Sequence, residues 1–246
     1  SGELVGVGEI GIELKAMPAP ARYRLVVAVG QTLGLSAGEI ARNDWDVWLY
    51  PEHAREPEAT DVHVARAFDA AARARLDSGG KVLLLAPPAL VRGDALGRVK
   101  IGFSPIFWNT AWTKRQPPHT LGILCDPKHP ALAAFPTEFH SNWQWWYLIS
   151  RARAMVLDGL PGDFRPVVQV IDDWVTNRKL GLVLEAKVLR GKLLVSSMDL
   201  KTSPSQDAVS RQMLHSLIEY AAGERFQPRS ELTLEQAGAL SAPPSA

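Results

Sequence analysis

The sequence is poor in the features that announce a chemistry. Cysteine occurs once, as Cys125, which excludes an internal disulfide and a multi-cysteine zinc site. It leaves the compartment open. Charge of one sign is not in excess: a net charge of +1 gives no electrostatic ground for a nucleic-acid or anionic-membrane partner. No apolar run reaches the about 18 residues of a membrane span. No glycine-rich loop opens a helix. Gly79-Gly80 closes one, the wrong end of a helix for an anion, so no nucleotide site is expected and no cofactor is indicated. The start, Ser1-Gly2-Glu3, has neither an initiator methionine nor a signal-peptide pattern and reads as the edge of a piece of something longer.

What is present is a globular composition, 46% hydrophobic and 22% charged, and one concentration of unusual residues. Between Phe107 and Trp146 lie five of the eight tryptophans, three of the six histidines and the single cysteine. Tryptophan is costly to expose, and when buried its N–H needs a partner. Such a stretch lines a core seam, a flat carbohydrate-like ligand or a protein interface.

Periodicity divides the chain in two. Ile10, Ile12 and Leu14, then Tyr23, Leu25, Val27 and Val29, then Trp45, Val47 and Leu49 alternate with their neighbours, the period of strands. Residues 30–43 contain Gly and Ser and read as a loop. Residues 52–60 are polar and proline-punctuated, a linker. Strand and helix then alternate. Val62–Ala65 reads as a strand, and Phe68, Ala71, Ala72 and Leu76 share a helical face that stops at Gly79-Gly80. Lys81–Ala86 is an almost continuous apolar strand, as expected of one covered on both faces. Leu121–Cys125, 167–171, Leu180–Ala186 and Lys192–Ser197 read as further strands, the last two joined by a turn near Arg190-Gly191. Residues 143–157 suit a helix. Val209, Met213, Leu217 and Tyr220 mark a closing helix ending near Gly223. Residues 229–246 read as a loose or draped tail. The expectation is an all-β segment followed by an α/β domain with an open, mostly parallel sheet and helices on both faces.

Each candidate for chemistry has a plainer reading beside it. Cys125 with His129, His140 and Glu138 is the set a Cys–His–Glu hydrolase needs. The loop Asp126-Pro127-Lys128-His129-Pro130 has two prolines and no glycine, unlike a nucleophile elbow. A structural, half-buried cysteine is therefore favoured. His119, His129, His140, Glu138 and Asp126 match no helix-borne or paired metal spacing, so no metal is expected. Asp172-Asp173 follows a strand and suits capping or a salt bridge to Arg178 or Lys179. Trp143, Trp145 and Trp146 cannot all share one helix face, so at least one packs inward. Trp108 and Trp112 sit in a loop that docks on a neighbouring domain or stacks on a sugar.

Three blocks carry a resemblance: Asn43-Asp44-Trp45-Asp46-Val47-Trp48-Leu49-Tyr50-Pro51, Pro105-Ile106-Phe107-Trp108-Asn109-Thr110, and the run from His119 through Pro130 to His140-Ser141-Asn142-Trp143-Gln144-Trp145-Trp146. They resemble the carboxyl-terminal region of large bacterial proteins of glycoside hydrolase family 2, of the β-galactosidase/β-glucuronidase type with a sugar-binding jelly-roll domain. The resemblance implies that residues 1–51 are the last strands of an immunoglobulin-like sandwich, 52–60 a linker, and 61–228 a flavodoxin-like domain similar to class I glutamine amidotransferases and the trimerisation domain of some β-galactosidases, with 229–246 as the tail. The amidotransferase elbow is absent, so that likeness is one of fold alone. The family's catalytic glutamates lie in a barrel that this chain does not contain, and no catalytic residue carries over.

The implied role is a non-catalytic accessory or assembly domain in carbohydrate degradation, in a periplasmic or secreted setting. Its partners would be the remaining domains or subunits of a larger glycosidase. Trp108, Trp112, Trp143, Trp145 and Asn142 are its expected contact residues. A carbohydrate-binding module built on the same tryptophans, and a Cys/His esterase or amidase acting on sugar derivatives, are the alternatives.

Overall fold

A computed structural model describes residues 6, 8–33, 36–52, 61–103, 117–118, 120–201 and 207–241. The chain divides into two units, Ser1–Leu49 and Tyr50–Ala246.

The first unit is a hairpin of β1 (Ala21–Leu33) and β2 (Ser36–Leu49), antiparallel with Ala21 opposite Leu49. Period-two alternation gives each face its own character. Tyr23 and Leu25 lie opposite Val47 and Trp45 on one face. On the other, Arg24 Nε pairs with Asp44 and Asp46 carboxylates at 3.2 and 3.6 Å. Two expectations change here. Residues 30–33 and 36–43 continue the strands and are not a loop, because a register shift at Val29/Gly30 absorbs the glycine as a bulge. Residues 10–14 form no strand, having no ladder partner among the described residues.

The second unit is α/β. Its strands are β3 (Val62–Ala65), β4 (Lys81–Leu85), β5 (Val99–Lys100), β6 (Ile123–Cys125), β7 (Arg153–Val156), β8 (Val168–Val170), β9 (Leu180–Val188) and β10 (Gly191–Ser196). Its helices are α1 (Ala70–Asp77), α2 (Trp146–Ser150), α3 (Ala208–Ala222) and α4 (Leu234–Ala239). The sheet runs β3-β4-β10-β9-β7-β5, with β8 also on β9 and β6 on β8.

The sheet is mixed, which corrects the expected mostly parallel one. Only β3–β4 and β4–β10 are parallel; the other pairings are antiparallel. The cause is connection length. A parallel return needs a crossover of a dozen or more residues, which α1 supplies between β3 and β4. The two-residue turn Leu189-Arg190 forces β9 and β10 antiparallel, with Leu189 at φ 54°. Gly191 lets this turn approach α1, since a Cβ there would lie 2.6 Å from the Gly80 carbonyl oxygen.

Alternation along the strands fills a core on each face. Leu83, Leu85, Leu182 and Leu194 pack with Met213 and Leu217 of α3. Val82, Leu84, Leu184 and Val195 pack with Ala72 and Leu76 of α1 and Ala237 of α4. α1 is capped by Asp69, which accepts the Ala72 N–H at 2.9 Å. Ala71, expected on its buried face, is exposed. α3 is capped by Asp207 and closes at Gly223, as the sequence indicates.

Two further expectations are corrected. The helix expected over 143–157 is a short 3-10 turn, Trp143–Trp145, followed by α2, which ends at Ser150. Residues 153–156 pair instead with β5 and β9, where Ala154 and Met155 are fully buried. The segment 229–241 is not a draped tail. Leu232, Ala237 and Leu240 are buried, and Thr233 and Gln236 form a reciprocal capping box. Among the described residues no helix is long and apolar enough to cross a membrane.

Candidate functional site

Asn142 organises the tryptophan layer. Its side-chain oxygen accepts the Gln144 N–H at 3.0 Å and starts the 3-10 turn. The turn sends successive rings in different directions. Trp143 is 74% exposed and Trp146 43%, whereas Trp145 is fully buried. Trp145 donates its indole N–H to Thr137 Oγ1 at 2.8 Å and meets Phe135 edge-on. It is a core residue, and the contact role expected of it is corrected: a ring without surface cannot touch a partner. Asn142 likewise acts first as a cap. Gln144 Nε2 donates to the Tyr50 hydroxyl and the Pro136 carbonyl, both at 2.7 Å, fixing the turn from beneath.

The exposed Trp143 and Trp146 rings form a patch with the partly buried Phe103. Phe103 lies 6.1 Å from Trp143 and 5.5 Å from Trp146, and the two tryptophans are 5.9 Å apart at 47°. The sequence pattern alone does not mark Trp146 or Phe103 as contact residues. Trp108, Trp112 and His119 lie outside the described residues.

Cys125 ends β6. This strand lies between β8 and residues 138–140: the Cys125 N–H donates to the Phe139 carbonyl at 2.8 Å, and Leu124 bridges His140. Gly122, at φ 101°, lets the chain enter β6 under Ser141, whose Oγ a Cβ would strike. The thiol is buried and donates to the Glu138 carbonyl at 3.3 Å. Burial, then the neighbouring Asp126 charge, pushes its pKa up to about 11, the opposite of an activated thiolate. The Glu138 carboxylate faces His140 Nε2 at 3.5 Å. His129 turns its Nδ1 to the Ala131 N–H at 3.2 Å, and burial lowers its pKa. Among the described residues, no histidine hydrogen-bonds the sulfur.

Cys125 and His129 share the wall of a cavity of about 1140 Å3 with Glu185 of β9, Tyr220 of α3, Arg225 and Arg229. The Tyr220 hydroxyl donates to Glu185 Oε2 at 2.6 Å. Its pKa is raised, first by burial and then by that carboxylate. Glu185 is legible in retrospect as the single acid in the apolar run of β9. The arginines come from separate segments and leave no local pattern.

Asp172 and Asp173 take the plainer of their two readings. Asp172 Oδ2 and Oδ1 accept from Arg178 Nε and Nη2 at 2.8 and 3.0 Å, and Arg178 Nη1 donates to Asp94 at 2.9 Å. Asp173 accepts the Val175 and Thr176 N–H groups. Among the described residues no three His, Cys, Asp or Glu side chains stand close enough to hold a metal.

A family model described as Domain of unknown function (DUF8487) matches residues 63–242. The match spans the second unit from β3 through α4 and omits the hairpin. No curated protein matches the chain.

Proposed function

We propose that this chain, which belongs to the DUF8487 family, is what its sequence resemblance implies: a non-catalytic accessory or assembly domain of a larger enzyme of glycoside hydrolase family 2 type. In this reading it grips the other domains or subunits of that glycosidase through the Phe103–Trp143–Trp146 patch. The observation that carries the reading is the 74% exposure of Trp143 beside a half-exposed Trp146. Clustered aromatics at a surface are what protein interfaces concentrate.

The same reading takes β3–α1–β4–β10 as the flavodoxin-like, glutamine amidotransferase-like part. It takes β1–β2 as the end of an immunoglobulin-like sandwich. A lone two-stranded hairpin is marginal in water, and the exposed Trp45, Val47 and Val29 favour further strands packing on it.

The test uses the whole glycosidase. Removing residues 60–246, or introducing Trp143→Ala with Trp146→Ala, is expected to dissociate or destabilise it while leaving its reacting groups untouched. Unchanged oligomeric state, thermal stability and activity in both variants would sink the proposal.

The carbohydrate-binding reading rests on the same patch, but its rings are not coplanar: Trp143 and Trp146 meet at 47° and Phe103 is tilted 35° from Trp143. A flat sugar face then stacks on one ring at a time. Tryptophan fluorescence during titration with galactosides and glucuronides separates the two readings. The hydrolase reading needs a thiolate that the burial of Cys125 opposes, and Cys125→Ala tests it directly.

A further inference from the structure

The cavity beside α3 has a chemistry of its own, separate from the aromatic patch. Arg225 and Arg229 line it, and neither has a hydrogen-bond or ion-pair partner among the described residues. Arg165 lines it too, its Nη1 fixed by the Gly162 and Phe164 carbonyls at 2.9 and 3.0 Å. Three acids, Asp126, Glu185 and Asp163, stand on the same wall as the three arginines. Asp126 accepts the Lys128 N–H at 2.9 Å, and one oxygen of Glu185 holds Tyr220 at 2.6 Å. Asp163 is the remaining acid. An arginine with its fork of donors unspent matches a carboxylate or phosphate.

The inner wall asks for hydroxyls. Glu185 Oε1 is an acceptor left over from the tyrosine bond. His129 accepts at Nδ1, so in its neutral form the hydrogen sits on Nε2 and that nitrogen donates. The wall gives a nucleotide base nowhere to stack. Among the described residues the only aromatic carbocycle lining it is Tyr220, already held edge-on by His129 and Phe226 at 5.7 and 5.2 Å. A metal ion is no better served, because among the described residues no three His, Cys, Asp or Glu side chains converge.

We propose that this cavity binds a small polyhydroxylated anion, a sugar-sized molecule bearing a carboxylate or a phosphate. Arg225 and Arg229 take the anionic group, with Arg165 beside them. Glu185 and His129 take the hydroxyls. The site does not depend on the assembly role and stands if that role fails.

The experiment is isothermal titration of the full chain at low salt with D-gluconate, glucose 6-phosphate, inorganic phosphate and neutral glucose. Gluconate, glucose 6-phosphate or both are expected to bind with a Kd below about 1 mM, and glucose at least about tenfold more weakly. Which of the two binds identifies the anionic group. Arg225→Gln with Arg229→Gln is expected to weaken binding by about tenfold or more, and Trp143→Ala to leave it unchanged. Glu185→Gln should weaken gluconate or glucose 6-phosphate relative to inorganic phosphate. Circular dichroism checks that each variant folds. No heat from either hydroxylated anion at about 10 mM, glucose binding as tightly as they do, or full affinity in the double arginine variant would overturn the site. Inorganic phosphate matching glucose 6-phosphate would overturn the role of the hydroxyl-binding wall.

Discussion

The Tyr220 hydroxyl donates a 2.6 Å hydrogen bond to Glu185 Oε2, tying the last turns of α3 to the middle of β9. The bond joins a helix to the strand on which three others pair. Tyr220→Phe keeps the ring between His129 and Phe226 but leaves a half-buried carboxylate short of a donor. We expect a loss of about 1–3 kcal/mol in unfolding free energy, read by urea denaturation, with little change in the far-ultraviolet spectrum.

The alkaline limb of stability follows from the same part of the molecule. The Cys125 thiol is raised from 9.0 to about 11 by burial, and Tyr220 is raised as well. Each group keeps its proton longer folded than unfolded, so the unfolded state loses protons first. Stability from Cys125 is full below pH 9.0 and is lost as pH rises through about 11. Urea midpoints measured across that range should fall, and Cys125→Ala should flatten the decline. An equal slope in the variant would refute this assignment.

Arg178 is the fastener between the Asp94 turn and the loop after β8. Its side chain is 10% exposed and that of Asp172 only 2%. Arg178→Ala leaves a buried carboxylate unpaired and is expected to cost about 3–5 kcal/mol. The loss should register in denaturant melts, whereas Arg190→Ala, at a pair with both side chains largely exposed, should change little.

Two neighbouring tryptophans should behave oppositely. Trp145→Ala empties a fully buried site and breaks the bond to Thr137, for an expected loss of about 3–5 kcal/mol. Trp143→Ala removes a largely exposed ring and should stay within about 0.5 kcal/mol of the parent. Thermal melts of the two variants decide the matter in one experiment.

Leu189 holds φ at 54° in the β9–β10 turn and is 47% exposed. A leucine pays for that left-handed backbone and gains little burial in return. Leu189→Asn is expected to raise stability by about 0.5–1 kcal/mol, measured as a higher urea midpoint at unchanged slope.

Much of the α/β unit is legible in the sequence where local signals agree with tertiary demand. β4 reads as an apolar run and is buried on both faces; α3 reads from Val209, Met213, Leu217 and Tyr220 and closes at Gly223. The misreadings occur where two patterns coexist. Trp146, Ile149 and Arg153 keep helical spacing, yet Arg153–Val156 also suits a strand, and pairing with β5 and β9 decides it. Strand direction follows from connections, which periodicity does not encode. The capping box at Thr233 and Gln236 is a sequence signal that marks order in the last segment. The cavity was not legible, since Arg165, Glu185, Tyr220 and Arg229 meet only through the fold.

The segment 138–140 that flanks β6 has a consequence for self-association. An uncovered edge strand is a template for another chain and a route to aggregation. Here the rim is the chain's own short stretch, joined by a single bridge between Leu124 and His140 and carrying Glu138 and His140 directly after Pro136-Thr137. Such a rim is brief, and its exposed Phe139 stands between two polar residues. Among the described residues, the β6 backbone on this side is engaged by the chain itself, so another chain would have to displace residues 138–140 to pair with it.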